Sequence, residues 1–547
     1  MTLSLRRICR FSVHFLLILL LFSSTSLSAS IAEGYKGAVS SAESHATKAG
    51  LEVLQEGGNA IDASIAVAFA LAVTHPSAGN IGGGGFLVYR AADGSTNSID
   101  YREKAPSEST HNMYLDESGS LNKKSLIGGL AAGIPGTVAG MAMAHEKYGS
   151  LPWKRLLAPA IRLAEEGHHI DSWHAKTMRH AMEKMQKIGA YESAQHYRKA
   201  DGSPYEEGDL WVQGELANTL RMIAEKGPES FYRGAFAKKL AKGVRSLGGI
   251  WTYEDLKNYN AVERIPLVIQ YRGHEITTMP PPSAGGVVMG QILTICEFLN
   301  AHNYSWTTPH AVHLYVEAAR WSYVDRNTKL GDPDFINNPL EKLMSRSYLQ
   351  NRAQKINRYH ATKSTEIADE SASQKESEQT THFSVVDSEG NAVSNTYTLN
   401  TGFGAKVVVP GTGILLNNEM DDFAAKPGEA NRYGLVQGEN NSIAPNKRML
   451  SSMTPSIVTK DNKLRAVVGS PGGSTITTTV VQIIRHLIDH QLSLEEAILA
   501  PRIHHQWLPD TIYVEKEVSE DMRIGLQAMG HEITERKAIG HANCIEV

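Results

Sequence analysis

Three cysteines, Cys9, Cys296 and Cys544, are all that 547 residues carry, so no disulfide framework holds this chain together. Charge of one sign is equally scarce. Lys plus Arg number 54 against 58 Asp plus Glu, a net charge of −4 that lacks the basic excess of a nucleic-acid binder. The apolar runs Phe11–Phe22 and Ile65–Val73 both fall short of the about 20 residues that cross a bilayer. The glycines Gly82–Gly85 lack the spacing and the following Lys of a phosphate-binding loop, and a strand-like run rather than a helix comes next, which excludes nucleotide binding there. Histidines number 22, yet the pairs His168-His169 and His504-His505 lack the i, i+4 spacing of a helical metal site. No metal and no cofactor is assigned.

What is present is globular: 41% hydrophobic and 20% charged residues, enough for a large core. The length admits three or four units of roughly 150 residues, or one large layered domain. Arg6, Arg7 and Arg10, then Phe11–Phe22, then the small residues Ser26, Ser28, Ala29 and Ala32 follow the order of a secretory leader. Residues 1–30 are therefore expected to be a signal peptide, cleaved on export to the periplasm or beyond, with no stable membrane anchor.

Two helices are predicted around Gly57-Gly58-Asn59, the second running from Asn59 to Val73. Phe86–Arg90 and Asn97–Tyr101 read as a hairpin, with Arg102 at its end. Residues 136–246 read as mostly helical, Pro135, Pro152 and Pro159 marking helix starts, and Ala311–Asn327 as another helix. A linker is expected over 352–379; from Thr362 to Gln379 its only large aliphatic residue is Ile367, which predicts an exposed, mobile stretch. A hairpin follows, Phe383–Asp387 and Ala392–Leu399 across a Gly-Asn turn. Linker then hairpin reads as a domain boundary. The hydroxyl at the junction allows a second reading. Cleavage between Gln379 and Thr380 would place a new α-amine, with a pKa near about 7.7 to 8.0, beside a Thr hydroxyl that needs a base to become a nucleophile.

The blocks Thr380-Thr-His-Phe-Ser-Val-Val-Asp387, Gly413-Ile-Leu-Leu-Asn-Asn-Glu-Met-Asp-Asp-Phe423, Leu450-Ser-Ser-Met-Thr-Pro455 and Gly469-Ser-Pro-Gly-Gly473 stand in one order. With Asp100-Tyr-Arg-Glu103 and Pro281-Pro-Ser-Ala-Gly-Gly286 upstream, the chain resembles the bacterial gamma-glutamyltransferases of the N-terminal-nucleophile hydrolase superfamily. The resemblance implies a four-layer αββα sandwich of mixed α/β (α+β) class, autocleaved into a large chain, 31–379, and a small chain, 380–547, that form a heterodimer. It puts the nucleophile on Thr380, a supporting hydroxyl on Thr398 and the oxyanion hole on Gly472 and Gly473. It gives the substrate's α-carboxylate to Arg102, Ser451 and Ser452, and its α-ammonium to Asp422, Glu419 and Asn400. A lid loop over 427–446 would carry Tyr433. Glutathione and other gamma-glutamyl compounds are the implied substrates, with water or an amino acid or dipeptide as acceptor. Family chains continue past the strand matching Asn543–Val547, so their last strand is expected to be missing or replaced here.

Two rivals remain open. A glutaryl or cephalosporin acylase would share fold and nucleophile but has no ammonium for Asp422 to hold. A secreted glutathione-binding protein would bind without turnover. Taken alone, Arg102 and Asp422 could be a surface ion pair, and Thr398 an ordinary strand residue.

Overall fold

The computed structural model describes residues 31–367 and 380–547. The expected signal peptide 1–30, the linker residues 368–378 and the cleavage residue Gln379 lie outside the described residues.

Period-two alternation builds the inner layers. In the strand Gly84–Arg90, Leu87 and Tyr89 enter one core, while Phe86 and Val88 enter another. Thr381–Val386 and Ala392–Thr398 do the same, with Phe383, Val385, Val393 and Tyr397 on the first side and Val386 and Ala392 on the second. These strands belong to a six-stranded antiparallel sheet in the order Ala38–Ser41, Thr381–Val386, Ala392–Thr398, Gly84–Arg90, Thr96–Tyr101, Val262–Arg264. A five-stranded antiparallel sheet, Ile545–Glu546, Lys463–Val468, Ser456–Lys460, His274–Thr278, Leu267–Tyr271, shares the second core.

Helices close both outer faces. Ala60–Thr74 is buried along its whole length, as a helix pressed between a sheet and other helices must be. Its start is fixed by Asn59, whose side chain accepts from the backbone N–H of Ile61 and Asp62 while Asp62 accepts from Asn59 N–H. With Ser44–Gln55 and Thr137–Tyr148 it packs on the first sheet, and Trp153–Glu165 packs against it from outside. Gly285–Phe298 and Thr475–Asp489 pack on the second, and Pro309–Lys329 packs against Gly285–Phe298. The layers run αββα, as expected.

Three expectations need correction. No domain boundary falls at Thr380, because two strands from far upstream in sequence, Ala38–Ser41 and Gly84–Arg90, flank its hairpin within one sheet. Pro159 sits inside the helix Trp153–Glu165 rather than near its start; burial of Leu156, Leu157, Ala160 and Ala164 outweighs the one backbone bond it forgoes. The segment from Thr362 is not exposed throughout. Ser364 is fully buried at the start of a helical turn, its hydroxyl donating to Trp507 O at 2.6 Å and its N–H to Asp510 Oδ2 at 2.7 Å. Polar partners there do the anchoring that composition assigns to apolar area.

Candidate active site

Thr381 pairs with Tyr397, which brings Thr380 opposite Thr398 at the end of the hairpin. Thr380 Oγ1 donates to Thr398 Oγ1 at 3.4 Å, and Asn400 N–H donates to the same oxygen at 2.8 Å. Asn400 turns back by adopting φ 74°, a left-handed conformation that Asn tolerates better than most residues. Behind Thr398, a Cβ on Gly83 would lie 2.1 Å from its carbonyl oxygen, so the glycine run serves close backbone packing. His382 is not a base for Thr380. Its ring nitrogens meet Thr396 Oγ1 at 2.8 Å and Ser384 Oγ at 3.1 Å, and burial pushes its pKa down to about 3.

Arg102 follows the strand Thr96–Tyr101 and is fully buried. Its Nε donates to Met449 O at 3.2 Å, its Nη1 to Glu419, and its Nη2 to Asp422 Oδ2 at 2.5 Å. The Arg102–Asp422 pair is thus internal rather than a surface ion pair. Burial raises the Asp422 and Glu419 carboxyls against the pull of Arg102, and brings neighbouring Glu103 to about 7.

Ser451 is held by its backbone, its N–H donating to Pro282 O at 2.9 Å and its carbonyl accepting from Ala284 N–H at 2.8 Å. Tyr433, 4% exposed, donates its hydroxyl to Asn400 O at 2.7 Å and accepts at its own carbonyl from Gln506 Nε2 at 2.9 Å. Gly472 and Gly473 have φ 138° and 58° and precede the helix Thr475–Asp489. A Cβ on Gly473 would lie 2.4 Å from the Tyr433 ring.

One small cavity gathers these residues. Thr380, Thr398 and Gly473 line it, as do Arg102, Asn400, Glu419 and Asp422, together with Ser451, Ser452 and Tyr433. Gly472 is buried and does not line it. The arrangement sets the Thr380 hydroxyl beside a guanidinium and carboxylates, a set that complements a zwitterion.

A family model described as Gamma-glutamyltranspeptidase matches residues 46–547. The chain belongs to the gamma-glutamyltranspeptidase family. It is 46% identical over 513 residues to the glutathione hydrolase proenzyme of Escherichia coli (strain K12), covering 94% of this chain and 88% of that protein. The glutathione hydrolase proenzyme of Bacillus subtilis (strain 168) is 39% identical over 532 residues, again covering 94% and 88%. Among solved structures, a cephalosporin acylase from Bacillus halodurans matches with a TM-score of 0.82 at 27% identity, covering 96% of this chain and 95% of that one. The gamma-glutamyltranspeptidase of Helicobacter pylori matches with a TM-score of 0.60 at 42% identity, covering 62% of this chain and 97% of that one.

The motifs of a gamma-glutamyltranspeptidase do not reveal Arg326, Leu435 and Ser474, which line the same cavity. Arg326 hides in a helix, Pro309–Lys329, whose buried residues span nearly its whole length; the signal for it would be charged residues persisting in a helix with no solvent face. One further group, His313, Glu317 and His531, holds donor atoms within 4.8 Å of one another. His313 and Glu317 have the i, i+4 spacing that the adjacent histidine pairs lack. Internal contacts occupy the group: His313 bonds His531 at 2.8 Å and Asn357 O at 2.8 Å, and Arg320 pairs with Glu317. No helix of the described residues is long and apolar enough to cross a membrane.

Proposed function

We propose that the chain is an exported, autoprocessed gamma-glutamyltransferase that cleaves itself between Gln379 and Thr380 and then uses Thr380 as its nucleophile. Before cleavage the Thr380 nitrogen is an amide and cannot act as a base. Afterwards the free α-amine takes the hydroxyl proton as Oγ1 attacks the gamma-glutamyl carbonyl. The Gly472 and Gly473 amides receive the developing oxyanion, and the proton passes to the departing amine. For glutathione, Cys-Gly leaves and a glutamyl-Thr380 ester remains. Water or an acceptor amine then attacks that ester, freeing the hydroxyl. Closure of the 427–446 loop through Tyr433 would limit entry of water.

The observation that carries this reading is the buried Arg102 with Asp422 and Glu419 beside the Thr380 hydroxyl. Without substrate these opposite charges satisfy one another. A glutamyl α-carboxylate and α-ammonium can replace each partner for the other, so burial of the pair need not be undone on binding. Large and small chains would remain together as a heterodimer.

Likeness to a cephalosporin acylase favours a second reading, in which a glutaryl group is the substrate. Asp422→Asn separates the two. Loss of a desolvated partner for a charged ligand group costs about 2 to 5 kcal/mol, roughly 30-fold to several thousand-fold. The variant is expected to lose that much kcat/KM on a gamma-glutamyl anilide and little on a glutaryl anilide. Equal losses on both, with normal self-cleavage, would show that Asp422 does not hold the ammonium and would remove the ground for preferring the glutamyl reading.

A further inference from the structure

Arg326 is buried to 2% exposure and lines the same cavity as Thr380. Its Nη1 donates to Asn327 Oδ1 at 2.9 Å and Gln437 Oε1 at 3.2 Å, and its Nη2 to Ser452 Oγ at 3.1 Å. All three acceptors are neutral. Its Nε has no hydrogen-bond partner, and among the described residues no carboxylate forms an ion pair with it. A guanidinium taken out of water with no carboxylate in contact is costly. Burial lowers its pKa to about 10 against the longer-range pull of the Asp422 carboxylate, which still leaves it charged at neutral pH.

Arg102 is in the opposite situation. Glu419, Asp422 and, at 3.6 Å, Glu103 surround it. Arg326, on the side of Ser452, is therefore the guanidinium of the cavity that touches no carboxylate, feeling the longer-range pull of Asp422. Because Ser452 Oγ accepts from Arg326, its own O–H is left to donate into the cavity. Arg326 also fixes the lid. Gln437 lies in the 427–446 loop, and its Nε2 donates to Asp422 O at 3.0 Å while its Oε1 accepts from Arg326.

We propose that Arg326 determines specificity for the α-carboxylate of the glutamyl group, supplying its counter-charge and setting the direction of the Ser452 hydroxyl. This rests on the zwitterion reading of the site. On binding, the carboxylate gives Arg326 an anion in contact, and Arg102 need not give up all its acidic partners at once. A purely structural Arg326 would hold the lid loop to the helix Pro309–Lys329 without regard to which ligand is bound.

The test compares L-glutamate with its decarboxylated counterpart, 4-aminobutyrate, as inhibitors of gamma-glutamyl anilide hydrolysis by the mature enzyme. Arg326→Gln is expected to weaken glutamate by roughly 10- to 100-fold while 4-aminobutyrate moves by no more than about 2-fold, the scale of one lost charged hydrogen-bond partner. Arg326→Lys keeps the charge but not the fork, and falls between. If the Gln variant does not fold, the Lys variant decides by the same ratio. Equal weakening of both ligands, or of neither, overturns the assignment. A wild-type protein with no gamma-glutamyl hydrolysis overturns the underlying reading instead, which keeps the two failures distinct.

Discussion

Asp421 and Asp422 are adjacent in sequence and opposite in circumstance. Asp422 meets Arg102, whereas Asp421 accepts from Ser125 Oγ at 2.9 Å and Arg432 N–H at 3.1 Å. Burial, with the neighbouring Asp422 charge, pushes Asp421 up to about 7 from 3.8. The folded chain therefore keeps this proton through the range in which the unfolded chain has lost it. Its contribution to stability is full below about pH 4 and is lost as pH rises toward 7. Asp421→Asn cannot titrate, so its thermal midpoint should fall less between pH 5 and 7.5 than that of the wild type; an unchanged fall would contradict the assignment. Residues such as Thr380, Arg102 and Asp422 were legible in the sequence because each sits in a block whose neighbours are distinctive. Arg326 was not, since its partners Gln437 and Ser452 come from more than a hundred residues away.

Among the elements, the turn Gly472-Gly473 joins the strand Lys463–Val468 to the helix Thr475–Asp489 and faces the lid. At φ 58° an alanine in place of Gly473 would pay about 1 to 2 kcal/mol in backbone strain alone, before its contact with the Tyr433 ring moves the amide. Gly473→Ala is expected to lower kcat by about 100-fold, as loss of an oxyanion donor does. Tyr433→Ala leaves that backbone in place and should raise KM more than it lowers kcat. Equal effects on kcat would remove the distinction between oxyanion donor and lid. The hairpin at Thr380 was readable from two strand-like runs across a Gly-Asn turn. The Ser364 anchor was not, because its stabilisation comes from the Trp507 carbonyl and the Asp510 carboxylate, which no local window contains.

At the scale of the molecule, layered architecture follows from strands with two apolar faces set between helices, and the αββα order expected from the resemblance is the one observed. Sheet order was beyond the sequence. Pairing of Ala38–Ser41 with Thr381–Val386 joins residues more than 300 positions apart, and no local pattern specifies it. That pairing has a consequence for maturation. After a cut at Thr380 the two chains would still share one six-stranded sheet and its core, so they should elute as one species under native conditions and separate only in denaturant.

Intact-mass measurement of the purified protein, wild type beside Thr380→Ala, tests the central claim most directly. The wild type is expected to give two polypeptides, the smaller beginning at Thr380, and to hydrolyse a gamma-glutamyl anilide. Thr380→Ala is expected to remain one inactive chain. A wild-type protein that turns over the anilide while its mass shows an uncut chain would contradict the account.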